Sequence, residues 1–191
     1  MFLPAKPSEE RIRRFIVSQH TLPFSYPEVG ATLQGLPDGY TIDHNRVKLG
    51  TGSEVFKRAV ASLENWKQFD LGWVRMVPAG TPVEVDAVVA TLTRHFGFWS
   101  LNACRVVYLI DQDGPVRKFG FAYGTLSSHV ERGEERFTIE WYSSDDSVWY
   151  DILAFSRPNK LLVRLVFPLT RMLQKRFARD SLSRMLQLHS Q

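Results

Sequence analysis

The spacing of apolar side chains along the chain predicts three helices. Ser8 can cap a first helix over about residues 9–20, because its hydroxyl can accept a hydrogen bond from a backbone N–H of the first turn. Ser53 can cap a second helix that extends to about Trp66, where apolar residues recur every three or four positions. The third helix is the longest and lies at the C-terminal end of the sequence.

The last helix is predicted from about Asn159 to Leu188. One side of it carries a continuous apolar stripe, formed by Leu161, Leu162, Leu165, Val166, Leu169, Met172, Leu173, Phe177, Leu182, Met185 and Leu186. Pro168 lies within this stripe, where a proline removes one backbone donor and clashes with the preceding turn. A kink or a break is therefore expected at Pro168.

Alternating and β-branched runs predict seven strands, one before the second helix and six after it. They cover residues 40–49, 71–77, 83–93, 98–110, 116–126, 136–142 and 148–155. A bulge is expected before Val47, and Asp113-Gly114 is a strong signal for a tight hairpin. Segments 22–38 and 127–133 are predicted to be loops.

This order of elements predicts an α+β domain in which a seven-stranded, curved antiparallel sheet wraps around the last helix. The gap between sheet and helix is the natural place for a cavity. Strong curvature requires glycines or bulges at the bends, and four glycines lie in apparent strands: Gly72, Gly97, Gly120 and Gly124. We expect one domain over 1–191, with an N-terminal helix and irregular extension (1–39), the sheet with one inserted helix (40–158) and the last helix (159–191).

The composition fits a single folded domain of 191 residues. Hydrophobic residues make up 44% and charged residues 23%, which excludes disorder as the main state. Cys104 is the single cysteine, which excludes an internal disulfide and a cysteine-rich zinc site. No apolar run reaches the roughly 20 residues of a membrane-spanning helix, and the first residues lack a signal-peptide pattern. We therefore expect a soluble, cytoplasmic protein.

The net charge of +4 is unevenly distributed. Residues 160–191 contain seven of the lysines and arginines and one acid, Asp180, so the last helix is basic while the rest of the chain is slightly acidic. A basic helix can bind nucleic acid, anionic lipid or an acidic partner. It can equally be an ordinary solvated polar face.

Polar side chains gather at the end of one predicted strand and in the segment that follows. They are Tyr123, Thr125, His129, Glu131, Glu134 and Glu135. A tyrosine hydroxyl, an imidazole and carboxylates can position or protonate the polar head of a ligand. The alternative is structural: Glu131 or Glu135 could bond free backbone N–H groups or pair with Arg132 or Arg136.

Arg157 precedes Pro158, just before the last helix. Its guanidinium could receive a carboxylate or a phosphate in a bidentate fork. Alternatively, it forms an ion pair with Glu131, Glu134 or Glu135 and ties the loop to the start of the helix.

Aromatic residues reach 13% of the chain, so many of them must face the inside of the curved sheet. The candidates for the cavity wall are Trp99, Asn102, Tyr108, Phe121 and Tyr123. They would suit a flat, apolar ligand, or they would fill the core without one. Which of them point inward depends on the phase of each strand.

No metal and no cofactor are expected. The five histidines are far apart in sequence and show no metal-binding spacing. Cys104 lies in an apparent strand and is expected to be a small buried side chain rather than a nucleophile. Gly50-x-Gly52 lies between a strand and a helix but lacks the third glycine and the Lys-Ser/Thr pair of phosphate-binding loops, which excludes a nucleotide fold.

Several strings in the second half of the chain occur together and in order. They are Cys104-Arg-Val-Val-Tyr108, Phe119-Gly-Phe-Ala-Tyr-Gly-Thr-Leu126, His129 with Glu131, Gly133-Glu-Glu-Arg-Phe137, Val148-Trp149, Ala154-Phe-Ser-Arg-Pro158 and Pro168-Leu-Thr-Arg171. Over about residues 40–185 the chain resembles an uncharacterised bacterial and plant family, the domain of unknown function numbered nineteen-ninety. The resemblance implies a single domain, similar in topology to the START and birch-pollen-allergen superfamily with its helix-grip fold, and it implies no activity. The chain departs from the family pattern at Ser127-Ser128 and Val130, where prolines and a glycine are usual, which concerns the loop around His129 and not the fold.

The sequence favours a non-catalytic module that binds a hydrophobic or amphipathic small molecule between the curved sheet and the last helix. The first alternative is an enzyme of cyclase, isomerase or hydrolase type, with His129, Tyr123 and a glutamate as acid/base groups. The second is an interaction protein that uses the basic helix on an anionic membrane surface or on nucleic acid, of which nucleic acid is not favoured. No oligomeric state is predicted.

Overall fold

The computed structural model describes residues 1–95, 97–159 and 167–189. The helices are α1 (Glu9–Gln19), α2 (Ala31–Gln34), α3 (Ser53–Glu64) and α4 (Phe167–His189), with one 3₁₀ turn at Lys67–Phe69. The strands are β1 (Phe2–Leu3), β2 (Thr41–Thr51), β3 (Val74–Val77), β4 (Val88–His95), β5 (Phe98–Gln112), β6 (Val116–Thr125), β7 (Glu131–Tyr142) and β8 (Ser147–Pro158).

Seven strands form one antiparallel sheet in the order β2-β8-β7-β6-β5-β4-β3. Each strand from β3 to β8 pairs with its neighbour in sequence, and β2 closes the far edge by pairing with β8. The short β1 pairs with the start of β5. Together with α4, which packs against β2, β8 and the 3₁₀ turn, this sheet confirms the predicted helix-grip architecture.

The two faces of the sheet carry separate apolar clusters. The inner face, toward α3 and α4, contains a large cluster that includes Phe121, Phe137 and Tyr150, each fully buried. The outer face of β4 and β5 packs against α1, whose Ile12 and Ile16 lie in a second cluster. The N-terminal extension therefore lies outside the sheet and leaves the inner face to α3 and α4.

Glu134 fixes the N-terminal extension to the outer face of β7. Its side chain is 2% exposed, and it accepts hydrogen bonds from the Tyr26 hydroxyl and the Gly30 backbone N–H, both at 2.7 Å. The backbone N–H and the hydroxyl of Thr32 also donate to it. A buried carboxylate with four donors satisfies backbone groups that the short helix α2 and the preceding loop would otherwise leave unpaired.

Several local predictions agree with the structure. Ser8 caps α1, because its Oγ accepts a hydrogen bond from the Arg11 backbone N–H at 3.2 Å. The loop that contains Asp113-Gly114 joins β5 to β6 as a hairpin. Segment 22–38 is irregular, as expected, except for the single turn of α2.

Other predictions need correction. The bulge in β2 lies between Lys48 and Gly50 rather than before Val47. The residue that caps α3 is Gly52, so Ser53 is already inside the helix. β7 begins at Glu131, which turns part of the expected loop into strand.

Two of the four glycines expected inside strands lie outside them, since Gly72 precedes β3 and Gly97 lies between β4 and β5. Both have a positive φ, of 75° and 93°, which suits a turn rather than a strand. Pro168 is the second described residue of α4. The part of the kink prediction that concerns residues 160–166 falls outside the described residues.

In the described ranges, none of the helices combines the length and the hydrophobicity that a membrane-crossing helix requires.

Candidate functional site

A cavity of about 940 Å³ lies between the inner face of the sheet and α4. Its apolar wall includes Phe69 and Phe177, whose rings stack at 5.0 Å, and the side chains of Leu173, Leu182 and Ile152. Exposed lining residues such as Phe98 and Lys175 mark where the cavity reaches the surface. The volume is within the range of roughly 300–1,000 Å³ that is usual for small-molecule sites.

The polar wall of the cavity is built on β7 and its neighbours. Alternation along β7 directs Glu131 and Glu135 toward the cavity and Glu134 to the opposite face. This separation follows from the early start of β7, because a strand assigns successive residues to opposite sides whereas a loop does not. The predicted structural role therefore belongs to Glu134, while Glu131 and Glu135 face the cavity.

Glu135 and Tyr123 form a hydrogen-bonded pair. The two residues are direct neighbours across β6 and β7, and the Tyr123 hydroxyl donates to Glu135 Oε2 at 2.7 Å. Burial raises the pKa of the Glu135 carboxyl to about 7, although the bond from Tyr123 opposes the increase. Burial and the nearby Glu135 together hold the pKa of Tyr123 well above its ordinary value. At neutral pH the tyrosine is therefore a donor, and the carboxyl is close to half-ionised.

Glu131 is held by α4. Gln174 Nε2 donates to Glu131 Oε1 at 2.5 Å and to Ser156 Oγ at 3.1 Å. Burial raises the pKa of Glu131 to about 7, with the Arg171 guanidinium acting against the increase and Asp43 reinforcing it. The Glu131 carboxyl, like that of Glu135, is therefore partly ionised near neutral pH.

Asp43 and Arg171 form the one bidentate ion pair observed at the polar wall among the described residues. Arg171 donates to the two carboxylate oxygens of Asp43 at 2.5 and 2.7 Å, which links β2 to α4. Hydrogen bonding to Asp43 raises the pKa of Arg171, so its charge is permanent. Because this guanidinium is bound to Asp43, it only partly offsets the charge of Glu131.

His129 lies in the loop between β6 and β7 and lines the cavity with 8% of its surface exposed. Its Nδ1 accepts a hydrogen bond from the Glu131 backbone N–H at 2.9 Å. Burial lowers the pKa of His129 to about 3, and the positive N-terminal ammonium contributes to the decrease. The imidazole is therefore neutral at physiological pH and cannot exchange protons there as an acid/base group.

Four side chains of β4 and β5 line the cavity near the turn between these strands: His95, Ser100, Asn102 and Cys104. Asn102 Nδ2 donates to Ser100 Oγ at 3.2 Å, and Ser100 Oγ lies 2.8 Å from His95 Nε2. Cys104 is fully buried in the core, and burial raises its pKa. A thiol in this environment is inert rather than nucleophilic.

The structure brings six of the ten predicted site residues to the cavity wall and places four elsewhere. Those at the wall are Asn102, Tyr123, Thr125, His129, Glu131 and Glu135. Thr125 is already bonded to Gly133, since its Oγ1 accepts from the Gly133 N–H at 2.9 Å. It therefore shapes the wall more than it offers a free group.

The other four predicted residues differ from the expectation for local reasons. Trp99 lies on the outer face of β5, beside Leu3, because side chains alternate between the two faces of a strand. Tyr108 follows a bulge between Val106 and Tyr108, which turns it outward to Thr32 Oγ1 at 2.6 Å. Phe121 faces inward but is fully buried against Trp66 and Phe137.

Arg157 stacks on the ring of Tyr40, with its guanidinium carbon 4.3 Å from the ring centroid. Within the described ranges it makes no ion pair with Glu131, Glu134 or Glu135 and is not part of the cavity wall.

Sequence reasoning missed Asp43 and Gln174, which line the cavity, and Arg171, which pairs with Asp43. Strand alternation could have identified Asp43, because alternate residues of the predicted strand 40–49 lie on opposite faces, with Ile42 and His44 on one side and Asp43 and Asn45 on the other. Nothing in the sequence alone shows which turn of α4 meets β7, so Arg171 and Gln174 carried no such signal.

The basic residues of α4 are largely engaged. In the described part of that helix, Arg171 pairs with Asp43, both Arg176 and Arg179 pair with Asp180, and Arg184 pairs with Asp70. The described residues contain no group of three or more His, Cys, Asp or Glu side chains arranged to hold a metal ion.

Comparison with known proteins gives both family and structural matches. A family described as a domain of unknown function, DUF1990, matches residues 25–184. A UPF0548 protein of Dictyostelium discoideum is 38% identical over 205 residues, covering 97% of this chain and 94% of that protein.

Among solved structures, a hypothetical protein, jhp0584, from Helicobacter pylori has a TM-score of 0.50 at 15% identity and covers 87% of this chain and 96% of its own. Human STARD10 has a TM-score of 0.47 at 12% identity, covering 95% of this chain and 81% of its own. At these identities the likeness concerns the fold alone.

Proposed function

The chain belongs to the DUF1990 family, and we propose that it binds an amphipathic small molecule in the cavity between the sheet and α4. The observation that carries the proposal is the two-sided cavity: Phe69 and Phe177 lie on its apolar wall, while the half-buried Glu131 and Glu135 and the buried His129 form its polar wall. An amphipathic molecule matches both walls at once, with its apolar body against the rings and its head at the glutamates.

The size of the cavity argues against a purely structural interior. Protein cores are packed like organic crystals, and their voids seldom exceed a water molecule. A space of about 940 Å³ that reaches the surface is therefore a pocket rather than a packing defect, and its apolar wall makes contacts only with a molecule that occupies it. A bound molecule would restore these contacts.

The polar wall supports the same conclusion. Glu131 and Glu135 have pKa values raised to about 7 by burial, which means that their charged forms are poorly compensated within the chain. Strongly perturbed carboxyls in a cavity are typical of functional sites. A head group that hydrogen-bonds to them would replace part of the lost hydration.

A binding assay with matched variants on α4 tests the proposal. The probe is N-phenyl-1-naphthylamine, a neutral dye that fluoresces in apolar sites. Ala178 lines the cavity, whereas Met172, on the same helix, is 50% exposed. We expect the wild type to bind the dye, Ala178→Phe to bind it at least tenfold more weakly, and Met172→Phe to bind like the wild type.

Thermal unfolding of both variants confirms that each is folded at the assay temperature. The proposal is wrong if the wild type does not increase the fluorescence of the dye, or if Ala178→Phe and Met172→Phe bind the dye equally well.

A second function is favoured by one observation: a carboxyl with a pKa of about 7 is suited to acid–base catalysis at neutral pH. In this alternative Glu135, bonded to Tyr123, accepts a proton from carbon in the ligand and returns it. His129 takes no part in the proton transfer, because its pKa is about 3.

Incubating host-purified protein and its retained molecule in D₂O tests this alternative by mass spectrometry. Deuterium should enter the molecule with the wild type and not with Glu135→Gln. Exchange that is the same in both proteins would refute it.

A further inference from the structure

His129 has a fixed orientation at the cavity wall. The backbone N–H of Glu131 donates to its Nδ1 at 2.9 Å. Its own carbonyl oxygen accepts from Asn159 Nδ2 at 2.8 Å, which anchors the loop to the end of β8. The ring lines the cavity with only 8% of its surface exposed.

The hydrogen bond to Nδ1 determines the tautomer. A backbone N–H can donate only to a ring nitrogen that carries no proton, so Nδ1 is unprotonated. A neutral imidazole then carries its single proton on Nε2. The ring stays neutral because burial lowers its pKa to about 3. The Met1 ammonium adds to this decrease, and the hydrogen bond with the Glu131 backbone opposes it only in part.

The remaining nitrogen, Nε2, is available to a ligand. It has no hydrogen-bond partner among the described residues. It is also not one of the fully enclosed side-chain atoms that lack a partner, so it is accessible from outside the protein interior. Because His129 lines the cavity, the Nε2–H group is a donor that reaches the cavity space.

We propose that His129 is a fixed hydrogen-bond donor to the bound molecule, and that this molecule carries an uncharged oxygen acceptor, a carbonyl or a hydroxyl, opposite Nε2. The inference rests on the proposed function and specifies the chemistry of its ligand. The acceptor is uncharged because Glu131 and Glu135 line the same cavity without an ion-pair partner among the described residues, and their charged forms repel an anionic head group. The cations of the lining do not offset this effect, since Arg132 bonds Asn159, Arg179 pairs with Asp180 and Lys175 is exposed.

The first test examines the tautomer in the wild type and needs no ligand. Long-range ¹H–¹⁵N NMR of protein labelled at histidine should show His129 with a protonated Nε2 and an unprotonated Nδ1, unchanged between pH 5 and pH 8. A proton on Nδ1, or titration of the ring near neutral pH, would overturn the inference.

The second test measures the ligand preference by displacement of N-phenyl-1-naphthylamine. The competitors share one chain length and differ in the head group: nonane, 2-nonanol, 2-nonanone and nonanoate. One hydrogen bond should make the ketone or the alcohol bind about 3- to 10-fold more tightly than nonane, and nonanoate should bind more weakly than both. The relative affinities of the ketone and the alcohol distinguish the two kinds of acceptor.

Two variants complete the test. His129→Phe should abolish the preference over nonane, whereas His44→Phe should keep it, because His44 lies on the outer face and contacts Asp151. Dye binding with equal affinities for nonane, 2-nonanone and 2-nonanol in the wild type overturns this inference alone. No dye binding by the wild type overturns the proposed function and this inference with it.

Discussion

Replacing Glu135 with glutamine should stabilise the folded chain at pH 8 and leave its stability almost unchanged at pH 4.5. The Glu135 side chain faces the cavity, and its one hydrogen-bond partner among the described residues is the Tyr123 hydroxyl at 2.7 Å. A glutamine oxygen can accept the same bond. The substitution therefore removes a buried charge with little change in shape or hydrogen bonding.

The magnitude follows from the pKa of Glu135, which burial raises from 4.5 to about 7. Between these two values the folded chain keeps a proton that the unfolded chain releases, so the free energy of unfolding decreases as the pH rises through this window. The accumulated loss is about 3 kcal/mol at pH 8 and less than about 0.5 kcal/mol at pH 4.5. Glutamine avoids this loss, and a gain of about 3 kcal/mol raises the Tm of a domain of this size by about 6–12 °C.

Urea unfolding followed by tryptophan fluorescence at the two pH values measures the effect. Glu64→Gln is the control, because Glu64 is exposed and its substitution should change stability at neither pH. A gain for Glu135→Gln that is equal at both pH values would show that the effect is not electrostatic. No gain at pH 8 would refute the argument that this carboxyl is held in the cavity at a cost in stability.

Three further predictions concern the fold and the basic helix. Glu134→Ala should lower the free energy of unfolding by at least about 3 kcal/mol in urea, because it leaves several buried donors unpaired; a loss below about 1 kcal/mol would contradict its anchoring role. Gly124→Ala should cost about 1–3 kcal/mol in the same assay, since a Cβ there overlaps the Tyr26 hydroxyl, and unchanged stability would show that Tyr26 can move aside. The chain should bind anionic vesicles only weakly in sedimentation assays, because the arginines described on α4 are paired with acids; tight binding that falls steeply with salt would revive a membrane role.

Local signals in the sequence were sufficient to predict most of the fold. The Ser8 cap and the Asp113-Gly114 hairpin each depend on a few neighbouring residues, and the structure contains both features. The apolar stripe of the last helix is confirmed in part: among its described residues Phe177, Leu182 and Met185 pack against the core, whereas Met172 and Leu186 are exposed. The number and order of the seven sheet strands follow from alternation within each segment.

The cavity wall was harder to predict, because it depends on strand phase and on contacts between distant segments. The bulge after Val106 reverses the facing of Tyr108, and no residue type marks that bulge. The start of β7 at Glu131 separates Glu134 from Glu135, although the two are adjacent in sequence. The position of Arg171 depends on the tertiary packing of α4 on β2.

Native mass spectrometry of the protein purified from its own host tests the central claim most directly. We expect the wild type to carry a small molecule of defined mass that is lost when the chain is unfolded. Ala178→Phe, which reduces the cavity, should be purified without it, and Met172→Phe should retain it. A wild-type protein that is observed only at the mass of the bare chain, or a molecule retained equally by Ala178→Phe, would contradict the claim that the cavity is a binding site.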